Sequence, residues 1–229
     1  MKKSRNVGAM QYGHFWMNTR DIMQQYTGNT RCPFLLAIGN HEKNVLYQEQ
    51  IDSNAPLFTQ AELYAMYTKQ ALNTGNNIGT VLGKSYYYVD LPEVRVIVLF
   101  TNDSETFAFT MSSAQNSWFT NTALNTQKPV LVLSHVPLLE GMDEAHSSTY
   151  DTAIASLKSF INNGGTVIAC ISGHTHSQTS SKSEGIWHIT CLDSYKLRGT
   201  TAEFFMVDIS TYNISTIGVG EAESRTFTH

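Results

Sequence analysis

Hydrophobic positions along the chain recur with two different periods, one typical of helices and one typical of strands. Apolar residues at helical spacing predict four helices, over residues 12–26, 61–72, 113–124 and 149–162. Short apolar runs rich in β-branched residues predict eight strands, over residues 34–38, 85–91, 94–100, 130–133, 167–171, 186–192, 203–209 and 213–219. Helices and strands in mixed order, followed by consecutive strands, predict an α/β fold in which a two-sheet β-sandwich is flanked by helices.

The composition predicts one globular domain over residues 1–229. A hydrophobic fraction of 41% is enough for one substantial core. The formal net charge is -4 and charged residues make up only 15% of the chain, so the sequence gives no signal for binding nucleic acid or an anionic membrane. Of the three cysteines, Cys32, Cys170 and Cys191, one stays unpaired under any disulfide scheme, which favours buried free thiols.

The opening residues carry no export signal, because the basic start at Lys2-Lys3 is followed by polar residues and not by an apolar stretch. No segment is long and apolar enough to span a bilayer. We therefore expect a cytoplasmic location by default, which an upstream segment with its own signal would change.

Three short polar motifs each follow a predicted buried strand. They are Gly-Asn-His-Glu at residues 39–42, Ser-His-Val-Pro at residues 134–137 and Gly-His-Thr-His at residues 173–176. Loops at the carboxyl ends of buried strands are where open α/β sheets place their chemistry. One amide and several imidazoles meeting there would suit zinc, manganese or iron.

Each motif has an ordinary alternative when it is taken alone. Gly-Asn-His-Glu is more often a turn with a capping Asn, and His-Val-Pro by itself says little. The three together, in this order and each after a buried strand, favour a metal site. The other histidines, His14, His146, His188 and His229, lack that context and are interpreted as structural or surface residues, and Asp103 and Asp193 as turn residues.

The three motifs resemble the later motifs of the calcineurin-like metallophosphoesterases, which read Gly-Asn-His-Asp/Glu, a lone His and Gly-His-x-His. The resemblance covers most of the chain. Two earlier family motifs, Asp-x-His and Gly-Asp, are missing: Asp21 is the only acidic residue before Gly39, and it follows Arg20 and not a Gly. We therefore expect the fold to be N-terminally incomplete, from a truncated sequence or a start assigned too late.

The resemblance implies a role for each motif residue. Asn40, His135 and His174 would bind one metal ion and His176 the other, while His41 would be the general acid and Glu42 could orient it. The complete family site holds two divalent ions, manganese, zinc or iron, and we expect one or none in this chain alone. The resemblance also implies phosphate-ester substrates.

Three hypotheses of function follow. The first is the C-terminal part of a metallophosphoesterase that hydrolyses phosphate mono- or diesters. The second is a catalytically inactive remnant that acts as a binding or interaction module, and the third is a site completed by strands and Asp ligands from another polypeptide. Missing strands would expose sheet edges, so self-association is expected. The Gly- and Asn-rich stretch at residues 73–83 is expected to be a loop that forms a lid or rim for a substrate pocket.

Overall fold

A computed structural model describes residues 35–43, 53–54, 56–68, 77–103, 109–144, 146–192 and 202–229. The predicted opening helix at residues 12–26 lies outside these ranges. His14, Cys32 and Asp193 lie outside them as well.

Seven strands form one large sheet in the order β1-β2-β3-β4-β5-β7-β6. Their bounds are Asn77–Thr80 (β1), Tyr87–Asp90 (β2), Arg95–Val98 (β3), Val130–Leu133 (β4), Val167–Ser172 (β5), Ser180–Ser183 (β6) and Ile186–Thr190 (β7). The pairs β1-β2, β2-β3 and β6-β7 are antiparallel, whereas β3-β4, β4-β5 and β5-β7 are parallel. The parallel strands therefore end side by side along one edge of the sheet.

A second sheet contains three antiparallel strands in the order β10-β9-β8. The strands are Ala202–Val207 (β8), Ile214–Val219 (β9) and Thr226–Phe227 (β10). Its inner face packs on the large sheet, because Ile214 and Phe227 share one buried cluster with Val96, Ile168 and Ile189. Its outer face exposes large apolar side chains, described further below.

Three helices in the described part of the chain begin at polar caps. The helix α1, Gln60–Leu63, starts at Thr59 with a capping box and continues as a π-helical turn over Tyr64–Thr68. The helix α2, Ser113–Trp118, starts at Ser112 and continues likewise over Phe119–Ala123, and α3 spans Ser148–Asn162. The predicted helices at 113–124 and 149–162 are confirmed, and the one at 61–72 is confirmed up to residue 68.

The helices α2 and α3 cover the face of the large sheet opposite the second sheet. Buried side chains from both layers form one core there, and they include Ile97, Val130, Val132, Phe119, Tyr150, Ala153 and Leu157. The predicted two-sheet arrangement with flanking helices is therefore confirmed. None of the described helices is long and apolar enough to cross a membrane.

Two predictions about the strands are wrong. Of the predicted strand at 34–38, residues 35–38 form no strand in the described structure, and residue 34 lies outside it. The Leu36 backbone instead bonds a side chain: its N–H donates to the Tyr87 hydroxyl at 2.8 Å, and that hydroxyl donates to the Leu36 carbonyl at 3.2 Å. Part of the predicted loop at 73–83 is the strand β1, which pairs antiparallel with β2. The strands β6 and β10 were not predicted, since one is polar throughout and the other has two residues.

The free cysteines agree with the sequence. Cys170 is buried, and burial raises the pKa of its thiol to about 12. Cys191 is free and partly buried, and burial raises its pKa to about 11. Neither thiol is suited to act as a nucleophile at neutral pH.

Candidate metal centre

Parallel pairing of β4 and β5 places two of the motifs next to each other. His135 and Gly173 follow the ends of these neighbouring strands, and the pairing continues past both ends. The Ser134 N–H donates to the Ile171 carbonyl at 3.0 Å, and the Gly173 N–H donates to the His135 carbonyl at 3.0 Å. These two bonds fix the backbone of His135 beside that of His174.

The turn at residues 39–42 approaches the same point from the end of the 35–38 segment. Gly39 lies so close to His135 that a Cβ on it would be 2.7 Å from the ring atoms Cε1 and Nδ1. The turn is closed by Glu42, whose carboxylate accepts from the Gly39 N–H at 3.0 Å. Beyond the turn, the buried Lys43 donates to the Asn102 carbonyl at 3.2 Å, which ties the segment to the end of β3.

Three atoms of a metal-binding type, the donor set, meet at this point, one from each of three separate loops. The Oδ1 atom of Asn40 lies 2.9 Å from Nε2 of His135, and Nδ1 of His174 lies 3.0 Å from the same Nε2. The two imidazole rings meet edge to face with centroids 4.9 Å apart. Asn40 and His135 are 95 positions apart in the sequence, and His135 and His174 are 39 positions apart, yet their oxygen and nitrogen atoms lie at contact distance.

The spacing of these atoms fits a divalent cation. Two ligands at right angles about an ion, with bonds of about 2.1 Å, are about 3.0 Å apart. Two lone-pair atoms, Asn40 Oδ1 and His174 Nδ1, flank His135 Nε2, which carries at most one proton, so one hydrogen bond cannot satisfy both contacts. A cation bound by all three atoms would satisfy them. The residues present therefore fit the metal that their types predict.

Electrostatics keep the two imidazoles neutral. Burial lowers the pKa of His135 to about 3, with further lowering by the neighbouring histidines 174, 41 and 176. Burial also lowers the pKa of His174, although the Asp143 carboxylate acts in the opposite direction. Both rings are consequently neutral at neutral pH, and a neutral imidazole can bind a metal through the ring nitrogen that carries no proton.

The backbone of the third motif is strained. His174 has φ 66° and His176 has φ 54°, a left-handed conformation that non-glycine residues seldom adopt. Each such residue costs on the order of 1 kcal/mol and tends to occur at functional sites. At both His174 and His176 this backbone conformation interrupts the regular alternation of side chains seen along β5.

The remaining predicted residues surround this set. His41 is exposed, and it is close enough to lower the pKa of both His135 and His174. His176 is half-buried and has the same effect on both rings. The Glu42 carboxylate closes the turn at Gly39. Within the described ranges, no group of three His, Cys, Asp or Glu side chains is arranged to hold a metal, so the candidate set depends on the Asn40 amide.

Two residues lie beside the candidate metal centre although no motif or pattern in the sequence predicts their place there. The Phe109 ring lies 4.9 Å from the His174 ring, centroid to centroid. The Asp143 Oδ2 atom lies 4.0 Å from Nε2 of His174, and only 9% of the Asp143 side chain is exposed. Asp143 belongs to an irregular loop between β4 and α3, outside every motif, and only tertiary structure brings it here.

The other polar residues singled out in the sequence lie outside the three-atom set. Asp103 accepts from the Ser112 hydroxyl and from Gln115 Nε2, the latter at 3.0 Å, which fits its predicted role in a turn. Histidines 146, 188 and 229 lie outside the three-atom set: His146 is 3.4 Å from Asp151, His188 is buried in β7, and His229 contacts the Val167 carbonyl at 3.0 Å.

Comparison with known proteins identifies the family to which the chain belongs. The family model for calcineurin-like phosphoesterases matches residues 12–178, which is more than half of the chain. Among solved structures, a dimetal phosphatase from Danio rerio is similar with a TM-score of 0.54, over 85% of this chain and 71% of that chain, at 15% sequence identity. At this identity the similarity shows a shared fold. No curated protein matches the chain.

Proposed function

The chain belongs to the calcineurin-like phosphoesterase family, a family of metal-dependent hydrolases, and on that premise we propose that it hydrolyses phosphate mono- or diesters. We propose Asn40, His135 and His174 as ligands of one divalent ion. The observation that carries this proposal is the meeting of their three donor atoms at 2.9 and 3.0 Å from loops far apart in the sequence.

The proposal extends to a second ion, with His176 as a ligand. His176 is two residues beyond His174 in the Gly-His-x-His motif and perturbs the same imidazoles. A two-metal centre would neutralise the phosphate oxygens and supply hydroxide at neutral pH. Manganese, zinc and iron all suit imidazole and amide ligands. The three motifs contain one carboxylate, Glu42, which accepts from the Gly39 N–H, so carboxylate ligands for the second ion would have to come from outside the motifs.

His41 is the proposed general acid. Hydrolysis forms a bond from a water oxygen to phosphorus and breaks the bond to the leaving oxygen, which must gain a proton. The His41 side chain is exposed next to the donor set, so a substrate can reach it. Because the Glu42 carboxylate accepts from Gly39, we propose that Glu42 orients His41 through the turn that they share.

Metal stoichiometry after manganese loading and removal of free ion tests the metal centre. We expect at least one ion per wild-type chain and a loss of binding in His135→Ala. The matched control is His188→Ala, which removes a buried imidazole from β7, outside the centre. If both variants keep the wild-type stoichiometry, or if the wild-type chain binds no ion, the proposed ligands are wrong.

Activity distinguishes an enzyme from a binding module. With manganese and an aryl phosphate or diester, we expect His41→Ala to lower kcat by about 10²-fold or more, the usual contribution of a general acid. A metal-loaded wild-type chain with no hydrolysis would instead favour the hypothesis of an inactive binding module.

We also propose that the chain self-associates through the outer face of the three-stranded sheet. Phe204 on β8 is 60% exposed and pairs in register with Ile217 on β9, which is 49% exposed. Apolar side chains of this size on one face are unusual in a monomer. Sedimentation velocity should show concentration-dependent association that Phe204→Lys abolishes. The control is Leu82→Lys, at an isolated side chain that is 86% exposed. A monomeric wild-type chain at all concentrations would refute the proposal.

A further inference from the structure

The loop between β4 and α3 places a carboxylate behind the candidate metal centre. We propose that Asp143 is a positioning residue that holds His174 in the tautomer and orientation needed for metal binding. This inference rests on the proposed metal centre. It concerns a residue that lies outside all three motifs and is separated from His174 by 31 positions in the printed sequence.

The two nitrogens of His174 face opposite partners. Nδ1 lies 3.0 Å from His135 Nε2 and so belongs to the donor set. Nε2 is on the far side of the ring and lies 4.0 Å from Oδ2 of Asp143. A neutral imidazole that binds a cation through Nδ1 must carry its proton on Nε2, and that proton then points toward the Asp143 carboxylate.

The separation of 4.0 Å is longer than a hydrogen bond, so the contact has about 1 Å left to close. Binding of a cation at Nδ1 draws electron density from the ring and makes Nε2–H a stronger donor. A carboxylate that accepts a hydrogen bond from this N–H raises the basicity of the ligand nitrogen in return. The two contacts of His174 therefore reinforce each other, and we expect the gap to close when the metal binds.

The loop around Asp143 is held in place by its own contacts. The Met142 N–H donates to the Leu139 carbonyl at 3.3 Å, and the His146 N–H donates to the Asp143 carbonyl at 3.3 Å. The charge of Asp143 also reaches the buried Tyr150 in the first turn of α3, where it contributes to the raised pKa of that phenol. The carboxylate therefore lies between α3 and the candidate metal centre, with 9% of its side chain exposed.

Zinc affinity and the tautomer of His174 together test the role of Asp143. We expect Asp143→Asn to weaken Zn²⁺ binding by about 10–100-fold, as loss of a carboxylate partner of a metal-binding histidine usually does. Competition with a chromogenic chelator measures the affinity, and nitrogen-15 NMR of the metal-free chain measures the fraction of His174 with its proton on Nε2. That fraction should fall in Asp143→Asn, and Asp143→Glu should recover part of both losses.

Asp151→Asn is the matched control, because Asp151 also lies next to a histidine, 3.4 Å from His146, but its side chain is 62% exposed. We expect it to leave zinc affinity and the His174 tautomer unchanged. If wild type binds zinc and Asp143→Asn binds it equally well with the same tautomer, the inference is overturned while the metal centre stands. If the wild-type chain binds no zinc, the metal centre and the inference both fall.

Discussion

Replacing Gly39 by alanine should damage the proposed metal centre by a steric clash alone. Gly39 is buried, and a Cβ on it would lie 2.7 Å from Cε1 and Nδ1 of His135 and 2.8 Å from Cγ. The backbone of Gly39 is not in the left-handed region, so alanine meets no conformational penalty there. The new methyl group presses directly on the ring that carries the central donor atom.

The size of the effect follows from these distances. Ordinary contact begins at 3.4 Å, so the ring or the turn must move by about 0.7 Å. Overpacking of this kind costs about 1–3 kcal/mol, which for a chain of this size lowers Tm by about 2–12 °C. A movement of about 0.7 Å is a third of a metal–ligand bond of about 2.1 Å, so we expect metal affinity to fall at least about tenfold.

Two control variants separate the clash from a general loss of stability. Gly165→Ala places a Cβ 2.4 Å from the Phe160 ring, away from the centre, and should lower Tm without changing metal affinity. Gly173→Ala sits in the third motif, where the nearest atom to its Cβ is the His135 carbonyl oxygen at 3.9 Å, and should change neither. Thermal unfolding and chelator competition give both quantities. The reasoning is refuted if Gly39→Ala matches Gly173→Ala in both.

Three further predictions concern charge. Asn40→Asp should strengthen manganese binding at least about tenfold, measured by chelator competition, because a carboxylate replaces the neutral amide; weaker binding would place Asn40 outside the ligand set. His188→Leu should flatten the pH dependence of stability. Burial lowers the His188 pKa to about 4, so below pH about 6.5 the unfolded chain binds more protons at this residue, and His188 alone lowers the wild-type free energy of unfolding by up to about 1.4 kcal/mol per pH unit between these values. Urea unfolding at pH 7 and pH 5 measures the difference, and equal slopes in both proteins would contradict it. Arg95→Ala should lower the free energy of unfolding by about 3 kcal/mol, because Arg95 binds both oxygens of Asp90 at 2.8 Å and caps the Ala123 carbonyl at 2.9 Å. Lys158→Ala, at an exposed ion pair, should cost less than about 1 kcal/mol in the same assay, and equal losses would refute the distinction.

Most of the large sheet could be predicted because its strands are buried on both faces. The runs at β3, β4 and β5 are almost continuously apolar, as expected for central strands with helices on one side and a sheet on the other. The edge strand β6 has no such pattern, because its four polar residues are held by pairing with β7 and not by burial. The segment 35–38 shows the opposite error. Its apolar run predicts a strand, but these residues form none, because an apolar run alone does not supply a partner strand.

The centre could be predicted only as far as local motifs go. Asn40, His135 and His174 stand out because each follows an apolar run, and parallel strands end at the same edge. Asp143 and Phe109 could not be found in this way, because their positions depend on how the loops fold back over the strand ends. The contact between Gly39 and His135 is likewise tertiary, although the Gly of the motif hints at a close approach.

The neutrality of the described donor set has a consequence for reactivity. One amide and two unprotonated imidazoles would leave a bound dication with its full charge, whereas carboxylate ligands would neutralise part of it. Such an ion is held less tightly but attracts a phosphate group more strongly. Asp143, 4.0 Å from His174 Nε2, would offset some of this charge without contacting the ion. The affinity gained in Asn40→Asp should therefore be accompanied by weaker binding of inorganic phosphate to the metal-loaded chain, which calorimetry can measure. Phosphate binding that strengthens along with metal affinity would show that ligand charge does not control this centre.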